Sequence, residues 1–163
     1  MSGNGSWFAS GVFVYAGNPH TFVRATVPCP ATVGTSGAGC TSTAGAVALQ
    51  ADNLPWAGAT FRSTATGMTP QSLALHVVGF NALSLPLPLP FGAPGCALFV
   101  DAIVTELLFP VGGTVAAGLA IPDTASLAGV AVHTQVVGLE FDLTMNLLRT
   151  TGTNALLLTL GAL

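Results

Sequence analysis

Apolar and polar side chains alternate along much of this chain with the two-residue period of a β-strand. Residues 59–66 place small or apolar side chains on one face and polar ones on the other, which predicts a half-buried strand. Three further runs, 72–80, 114–121 and 130–141, are also predicted to be strands; the first is strongly apolar and the last is the longest. A helical period is almost absent, and only 124–128 is predicted to form a single helical turn.

Turn signals rich in glycine and proline separate these runs at intervals of roughly 8–12 residues. The runs correspond to about nine strands, and the segment 28–44, rich in glycine, threonine and serine, is predicted to be a loop. Many short strands with regular turns are typical of two packed sheets. We therefore predict an all-β protein, a β-sandwich of the jelly-roll or immunoglobulin-like type, between which the pattern does not distinguish.

A proline-rich segment at 83–101 divides the predicted strands into two halves. Its prolines exclude a helix and a central strand, because each lacks a backbone donor and fixes φ. Leucine at every second place between 83 and 89 predicts an extended, stiff segment with one apolar face. The segment ends in a Gly/Pro turn and Cys96.

The charge content limits the classes of partner. Charged residues make up 6% of the chain, against roughly 25% in ordinary soluble domains, and there is no lysine. A net charge of −3 argues against nucleic acid as a partner, because binding phosphates requires clustered cations. So few charges favour association. We predict that the chain associates with itself.

The mean hydropathy of +0.73 raises the question of a membrane span. Residues 63–100 are free of charge but contain prolines, and 107–122 fall short of the ~20 apolar residues that a span needs. We predict no membrane span. Residues 1–6 are polar and lack the pattern of a secretory signal, so export is expected to depend on another signal or on one removed from this form.

No residues suggest catalysis. The three histidines, His20, His76 and His133, are far apart in sequence; the last two lie in apolar runs and could face each other within one sheet, but a metal would need a third ligand. A Gly-x-Ser-x-Gly motif is absent, and no nucleophile is paired with a base. We predict that the protein is not an enzyme and has no catalytic residues, cofactor or metal.

The acidic and aromatic residues have simple structural interpretations. Residues 122–124 predict a turn or helix cap, and Glu140 and Asp142 are predicted to be solvent-facing acids on either side of a core Phe141, with a weak calcium site as the alternative. The aromatic side chains are predicted to pack in the core or an interface, and their alternative role is a carbohydrate-binding platform. The aromatic residues concerned are Trp7, Phe8, Trp56 and Phe61.

Three cysteines, Cys29, Cys40 and Cys96, lie in loop-like contexts without a Cys-x-x-Cys motif, which favours a disulfide over a metal site. Around them lies a distinctive series: Gly39-Cys40, the run 85–100 with Gly-Ala-Pro-Gly-Cys96, Leu-Ala-Ile-Pro122, Leu-Ala-Gly129, Gln135 and 153–161. This series resembles a β-rich domain at the C-termini of large secreted proteins of planctomycetes and similar bacteria.

The resemblance covers about residues 37–161 and implies an extracellular or cell-surface setting, but no activity. It also implies a Cys40–Cys96 disulfide, because these cysteines match the two of the pattern. Cys29 departs from the pattern, and a Cys29–Cys40 bridge across 30–39 is the alternative, which would leave Cys96 free.

The N-terminal residues 1–28 lie outside the resemblance, and we predict them to be an extension of a sandwich domain at 29–163. An aromatic, β-branched strand in this extension is suited to addition to a neighbour's sheet edge. The residues predicted to form this assembly strand are Trp7, Phe8, Val12, Phe13, Val14 and Tyr15. The alternative is that the strand completes its own domain.

These observations predict a non-enzymatic extracellular structural protein that assembles into a surface fibre or layer through strand donation. One alternative is an adhesin or carbohydrate-binding module that binds a glycan through Trp56 or an apolar face. Another is a viral or phage capsid or fibre jelly roll.

Overall fold

The computed structural model describes residues 11–15, 18–22, 29–87 and 90–162. The first eight strands are β1 (Gly11–Tyr15), β2 (Asn18–Phe22), β3 (Thr32–Ser36), β4 (Thr41–Ser42), β5 (Gly45–Ala46), β6 (Ala48–Ala51), β7 (Thr60–Thr66) and β8 (Ser72–Gly79). The others are β9 (Ala82–Pro86), β10 (Ala97–Val100), β11 (Val104–Leu108), β12 (Thr114–Ala120), β13 (Ala131–Phe141), β14 (Leu147–Gly152) and β15 (Ala155–Thr159). The all-β prediction is confirmed. The predicted helical turn is a 3-10 helix, Ala125–Leu127.

A six-stranded antiparallel sheet organises the molecule: five strands have the order β11-β8-β13-β15-β3, and the sixth, β14, also pairs with β13. Strand β13 is long enough to pair with β15 in its first half and β14 in its second. A three-stranded sheet has the order β12-β7-β6. The pairs β9-β10, β4-β5 and β1-β2 each form a small sheet of their own.

Both faces of the six-stranded sheet are covered. The larger core lies between this sheet and the three-stranded sheet, where Ala74 and Val136 pack with Phe61 and Val115. On the opposite face, residues of β8, β13 and β15 pack with Val100 of β10. Because both faces are covered, β8 and β13 carry apolar side chains on both faces, and polar residues within them, such as His76 and Gln135, are buried and hydrogen-bonded. The fold is a β-sandwich with an additional two-stranded layer.

The segment predicted as a loop at 28–44 contains two strands, so that part of the prediction is wrong. Strand β3 pairs with β15 at the border of the large sheet, and four of its five residues are exposed. A border strand exposed in this way does not need an apolar face, and threonine suits the pleated backbone. Such additional short strands bring the number between 32 and 159 to thirteen instead of about nine.

The proline-rich segment begins as a strand and not as a free spine. Strand β9 ends at Pro86, which pairs with Ala97 in an edge position where the missing donor is tolerated. The leucines do not share one apolar environment: Leu85 is exposed, whereas Leu87 packs against the cluster around the disulfide.

Cys40 and Cys96 form a disulfide, and Cys29 has a free thiol. This confirms the pairing that the resemblance implied. Both half-cystines are buried in a small cluster with Val47 and Ala93. The bridge therefore ties the segment before β4 to the segment before β10, separated by 56 residues.

Among the described residues, no helix is long and apolar enough to cross a membrane.

Candidate functional site

Strand β11 forms one border of the six-stranded sheet and carries an unusual amount of exposed apolar surface. It pairs with β8 on one side, and on its other side no strand of the described residues pairs with it. The apolar side chains here and just beyond are between half and four-fifths exposed. We call this set the apolar edge; it consists of Ile103 (57%), Val104 (57%), Leu107 (50%), Phe109 (68%) and Val111 (78%).

The two faces of β11 explain how the sequence places these residues. Leu108 packs against the larger core and anchors the strand, whereas Leu107, one position earlier, points to the other face of the sheet. Sheet borders in soluble proteins are usually protected from other chains by lysine, proline or a bulge. Glu106 is the only charged residue within β11.

Glu106 is directed towards its neighbour on β8. Its Oε2 lies 3.6 Å from Nδ1 of His76, whose ring is buried, and Nε2 of His76 lies 2.6 Å from Oγ1 of Thr134. Burial lowers the pKa of His76 below its usual value of 6.5, and the hydrogen bond and charge of Glu106 oppose that effect without cancelling it. The neutral ring is therefore favoured in the folded protein.

We expect the free energy of unfolding to decrease as the pH falls below about 6.5. Below that pH the unfolded chain binds a proton at His76 that the folded chain does not bind until its lower pKa is reached. Urea unfolding between pH 7.5 and pH 5 would measure the slope, and the variant His76→Gln should reduce it. In Glu106→Gln the ring should titrate at a still lower pH, because the carboxylate that favours the charged form is gone. A ring of His76 that titrates above pH 6.5 in an NMR titration would contradict this assignment.

His76 and His133 do not face each other, contrary to the arrangement considered from the sequence. His76 is paired with Val136 and His133 with Gly79, so the two histidines lie three positions apart in register and on opposite faces. Within the described residues, no group of three or more His, Cys, Asp or Glu side chains is arranged to hold a metal ion.

The prediction that Glu140 faces solvent is wrong. Only 3% of its surface is exposed, and its Oε2 accepts a hydrogen bond of 2.8 Å from Oγ1 of Thr43. The pairing of β13 with β14 shifts register between Glu140 and Phe141, and a single sequence does not reveal such a bulge. Phe141, predicted to be core, is half-buried.

Asp142 does lie at the surface, where it organises the turn between β13 and β14. Its Oδ1 accepts hydrogen bonds from the amides of Thr144 and Asn146, both at 2.8 Å. Hydrogen bonds from Asn146 and Thr144 lower the pKa of Asp142 to about 2. At 122–124 the predicted turn is present, with the amide of Thr124 bonded to the carbonyl of Pro122 at 2.9 Å.

Two amide side chains, the buried Gln135 and the half-buried Asn154, hold the layers together, and sequence reasoning did not identify the role of either. Gln135 of β13 accepts from the Phe99 amide at 2.8 Å and donates to the carbonyls of Ala97 and Thr153 at 2.9 and 2.7 Å. It thereby fixes β10 to the large sheet. Asn154 bonds both the amide and the carbonyl of Leu49, at 2.9 and 3.0 Å, as a neighbouring strand would.

Of the aromatic residues considered as a glycan platform, the structure describes Phe61 and Trp56, and these two do not form an exposed aromatic pair. Phe61 is 1% exposed in the larger core, as the packing interpretation predicted. Trp56 is half-buried, and its ring lies over Gly161, where a Cβ atom would approach it to 2.7 Å. Trp7 and Phe8 lie outside the described residues, whereas positions 12–15 of the predicted assembly strand belong to β1.

No protein-family model, no curated protein and no solved structure matches this chain.

Proposed function

We propose that this protein is a non-enzymatic structural subunit that assembles with copies of itself by adding a strand at the apolar edge. The observation that carries the proposal is β11, a sheet border with exposed Val104 and Leu107 and no positive charge. An added strand would satisfy the unpaired backbone groups of this border and bury its apolar side chains in one step. An uncovered border of this kind promotes association.

The strand that we assign to this border is β1 of a second copy. Strands β1 and β2 form a hairpin whose sheet includes no other strand of the described residues. Strand β2 contains Pro19, which cannot donate a backbone hydrogen bond, whereas β1 has no proline. Both β1 and β11 are five residues long, so one can pair with the other over its full length.

Each subunit would then donate one hairpin and accept another. Because donor and acceptor are different surfaces, the contact is heterologous, and repetition gives a filament or layer unless a ring closes. The low charge of the chain, 6% of its residues, fits a surface that is covered in the assembly.

An extracellular or cell-surface location is part of the proposal. A buried disulfide suits an oxidising compartment, and the resemblance to domains of large secreted planctomycete-type proteins supports the same setting.

The double substitution Val104→Lys and Leu107→Lys is expected to abolish assembly. The two lysine charges on β11 would repel each other and would lose their hydration when an incoming strand covers them. The monomer should stay folded, because the side chains at both positions already reach solvent. Sedimentation velocity would measure the size distribution, and circular dichroism would verify the fold. The double substitution Phe13→Asp and Tyr15→Asp, on the donor strand β1, should likewise abolish assembly.

The matched control is Thr35→Lys, which places a charge at an exposed position of β3, the opposite border of the same sheet. We expect this variant to assemble like the unmodified protein. Assembly that survives in the β11 variant, or that is lost equally in the β3 variant, would overturn the assignment of the apolar edge.

A further inference from the structure

A cleft at one end of the large sheet is independent of the apolar edge. It has a volume of about 250 Å³ and lies where β13 passes into its bulge. Its walls combine apolar side chains with a few polar ones. The residues that matter to the argument are Thr43, Thr69, Pro70, Glu140, Phe141 and Leu148.

Glu140 brings an incompletely compensated carboxylate to this cleft. Among the described residues its hydrogen bonds come from Thr43 alone, through the hydroxyl at 2.8 Å and an amide shared between the two carboxylate oxygens at 3.3 and 3.4 Å. A carboxylate has about four lone-pair sites, so acceptor capacity remains. Glu140 as a whole is 3% exposed, and a buried charge normally has a partner of opposite sign, because burial without one is costly.

The arginine opposite Glu140 on the neighbouring strand does not supply that partner. Arg149 of β14 is paired in register with Glu140, but no ion pair joins the two in the part of the chain that the structure describes. The Arg149 guanidinium instead lies 3.4 Å from the carbonyl of Thr41, to which it donates.

A second polar group in the same wall also lacks a partner. The side-chain hydroxyl of Thr69 is buried and makes no hydrogen bond within the described residues. Thr69 as a whole is 8% exposed. A buried hydroxyl without a partner costs free energy that a ligand with N–H donors can recover.

We propose that this cleft binds an organic cation, a primary ammonium or guanidinium group carried on a short apolar stem. The cation would pair with Glu140 and donate to Thr69, while Pro70, Phe141 and Leu148 contact the stem. A calcium ion does not fit, because it needs six to eight oxygen ligands. Glu140 is the only carboxylate that lines the cleft among the described residues.

The chain itself is one source of such a group, and free amines are another. It has no lysine and three arginines, of which Arg62 is exposed on β7. A second copy can therefore offer a guanidinium, whereas small alkylamines offer an ammonium group without any second copy.

The test is an NMR titration of the full chain with butylammonium chloride and with methylguanidinium chloride. The amide of Thr43 is the reporter, because it donates to Glu140. We expect a saturable shift with a dissociation constant on the order of 1 mM, since the cleft is open and the contacts are few. Neutral butanol, with the same stem, and sodium chloride at equal concentration should not produce that shift.

The variant Glu140→Gln keeps an acceptor for Thr43 and removes the charge, so it should weaken binding at least about tenfold. Thr69→Val removes only the unpartnered hydroxyl and should weaken cation binding less than Glu140→Gln does. Because no hydrogen bond among the described residues is lost in Thr69→Val, this variant tests the cleft even if Glu140→Gln does not fold. Asp123→Asn removes an exposed charge outside the cleft and should bind normally.

One further measurement distinguishes the two sources of the cation, an arginine of a second copy and a free amine. If a second copy supplies the cation, Glu140→Gln should also reduce self-association in sedimentation velocity; if a free amine does, self-association should be unchanged while amine binding is lost. The absence of a Thr43 shift with both cations, or an equal shift with butanol or in Glu140→Gln, would overturn the proposal.

Discussion

Replacing Cys40 and Cys96 together by alanine is expected to lower the free energy of unfolding by about 4 kcal/mol. The bridge joins residues 56 positions apart and so removes many conformations from the unfolded chain. It also fills the small buried cluster that Leu87 covers, so its removal leaves space there. Urea unfolding followed by circular dichroism, at a fixed pH near 7, would measure the loss.

The matched control is Cys29→Ala, which removes the free thiol and leaves the bridge intact. We expect its effect to stay within about 1 kcal/mol. A reductant should destabilise the unmodified protein towards the level of the double variant and should leave the double variant unaffected. Equal stability of the double variant and the Cys29 control would show that the bridge does not constrain the unfolded chain.

The second large effect is expected for Gln135→Leu, which should cost roughly 3 kcal/mol or more. The substitution keeps a similar volume but removes the acceptor for the Phe99 amide and the donors for the carbonyls of Ala97 and Thr153. Three backbone groups then lose this partner, that of Thr153 buried and those of Ala97 and Phe99 half-buried, and a buried group that finds no other partner costs about 1–3 kcal/mol. Hydrogen exchange at Phe99 should accelerate first, because its amide depends on this side chain.

Gln50→Leu is the control for this experiment. It makes the same chemical change at a residue that is exposed on β6, so no buried contact is lost. We expect Gln50→Leu to change stability by no more than about 0.5 kcal/mol. If the two leucine variants unfold at the same urea concentration, Gln135 is not a clamp between β10 and the large sheet.

Local patterns predicted the fold class because they reflect the backbone directly. The alternation at 59–66 became β7 almost residue for residue, and the long apolar run at 130–141 became β13. Strand β3 escaped prediction because a polar, glycine-containing border strand has no alternation to detect. Glu140 was misplaced for a related reason: its face depends on a bulge set by the pairing with β14.

The candidate sites depend on which strands are neighbours, and one sequence does not contain that information. Residues 104–108 are as apolar as other runs, and only the strand order places them at a border. The functions of Gln135 and Asn154 likewise depend on backbone groups that lie 18 to 38 and 105 residues away along the chain. The Cys40–Cys96 disulfide could be predicted from the sequence because the resemblance identified both cysteines.

The backbone pairing of Cys29 with Ala162, an isolated antiparallel β-bridge, has a consequence for protein engineering. Each of these two residues donates its amide to the carbonyl of the other, at 3.0 and 3.1 Å, so the two ends of the sandwich lie side by side. A short linker could join them, and the chain could be opened elsewhere, as at the exposed turn that contains Gly112. Such a circular permutant would have its new termini beside the apolar edge. It would separate the sandwich from the hairpin of β1 and β2, and no strand of the large sheet would be cut.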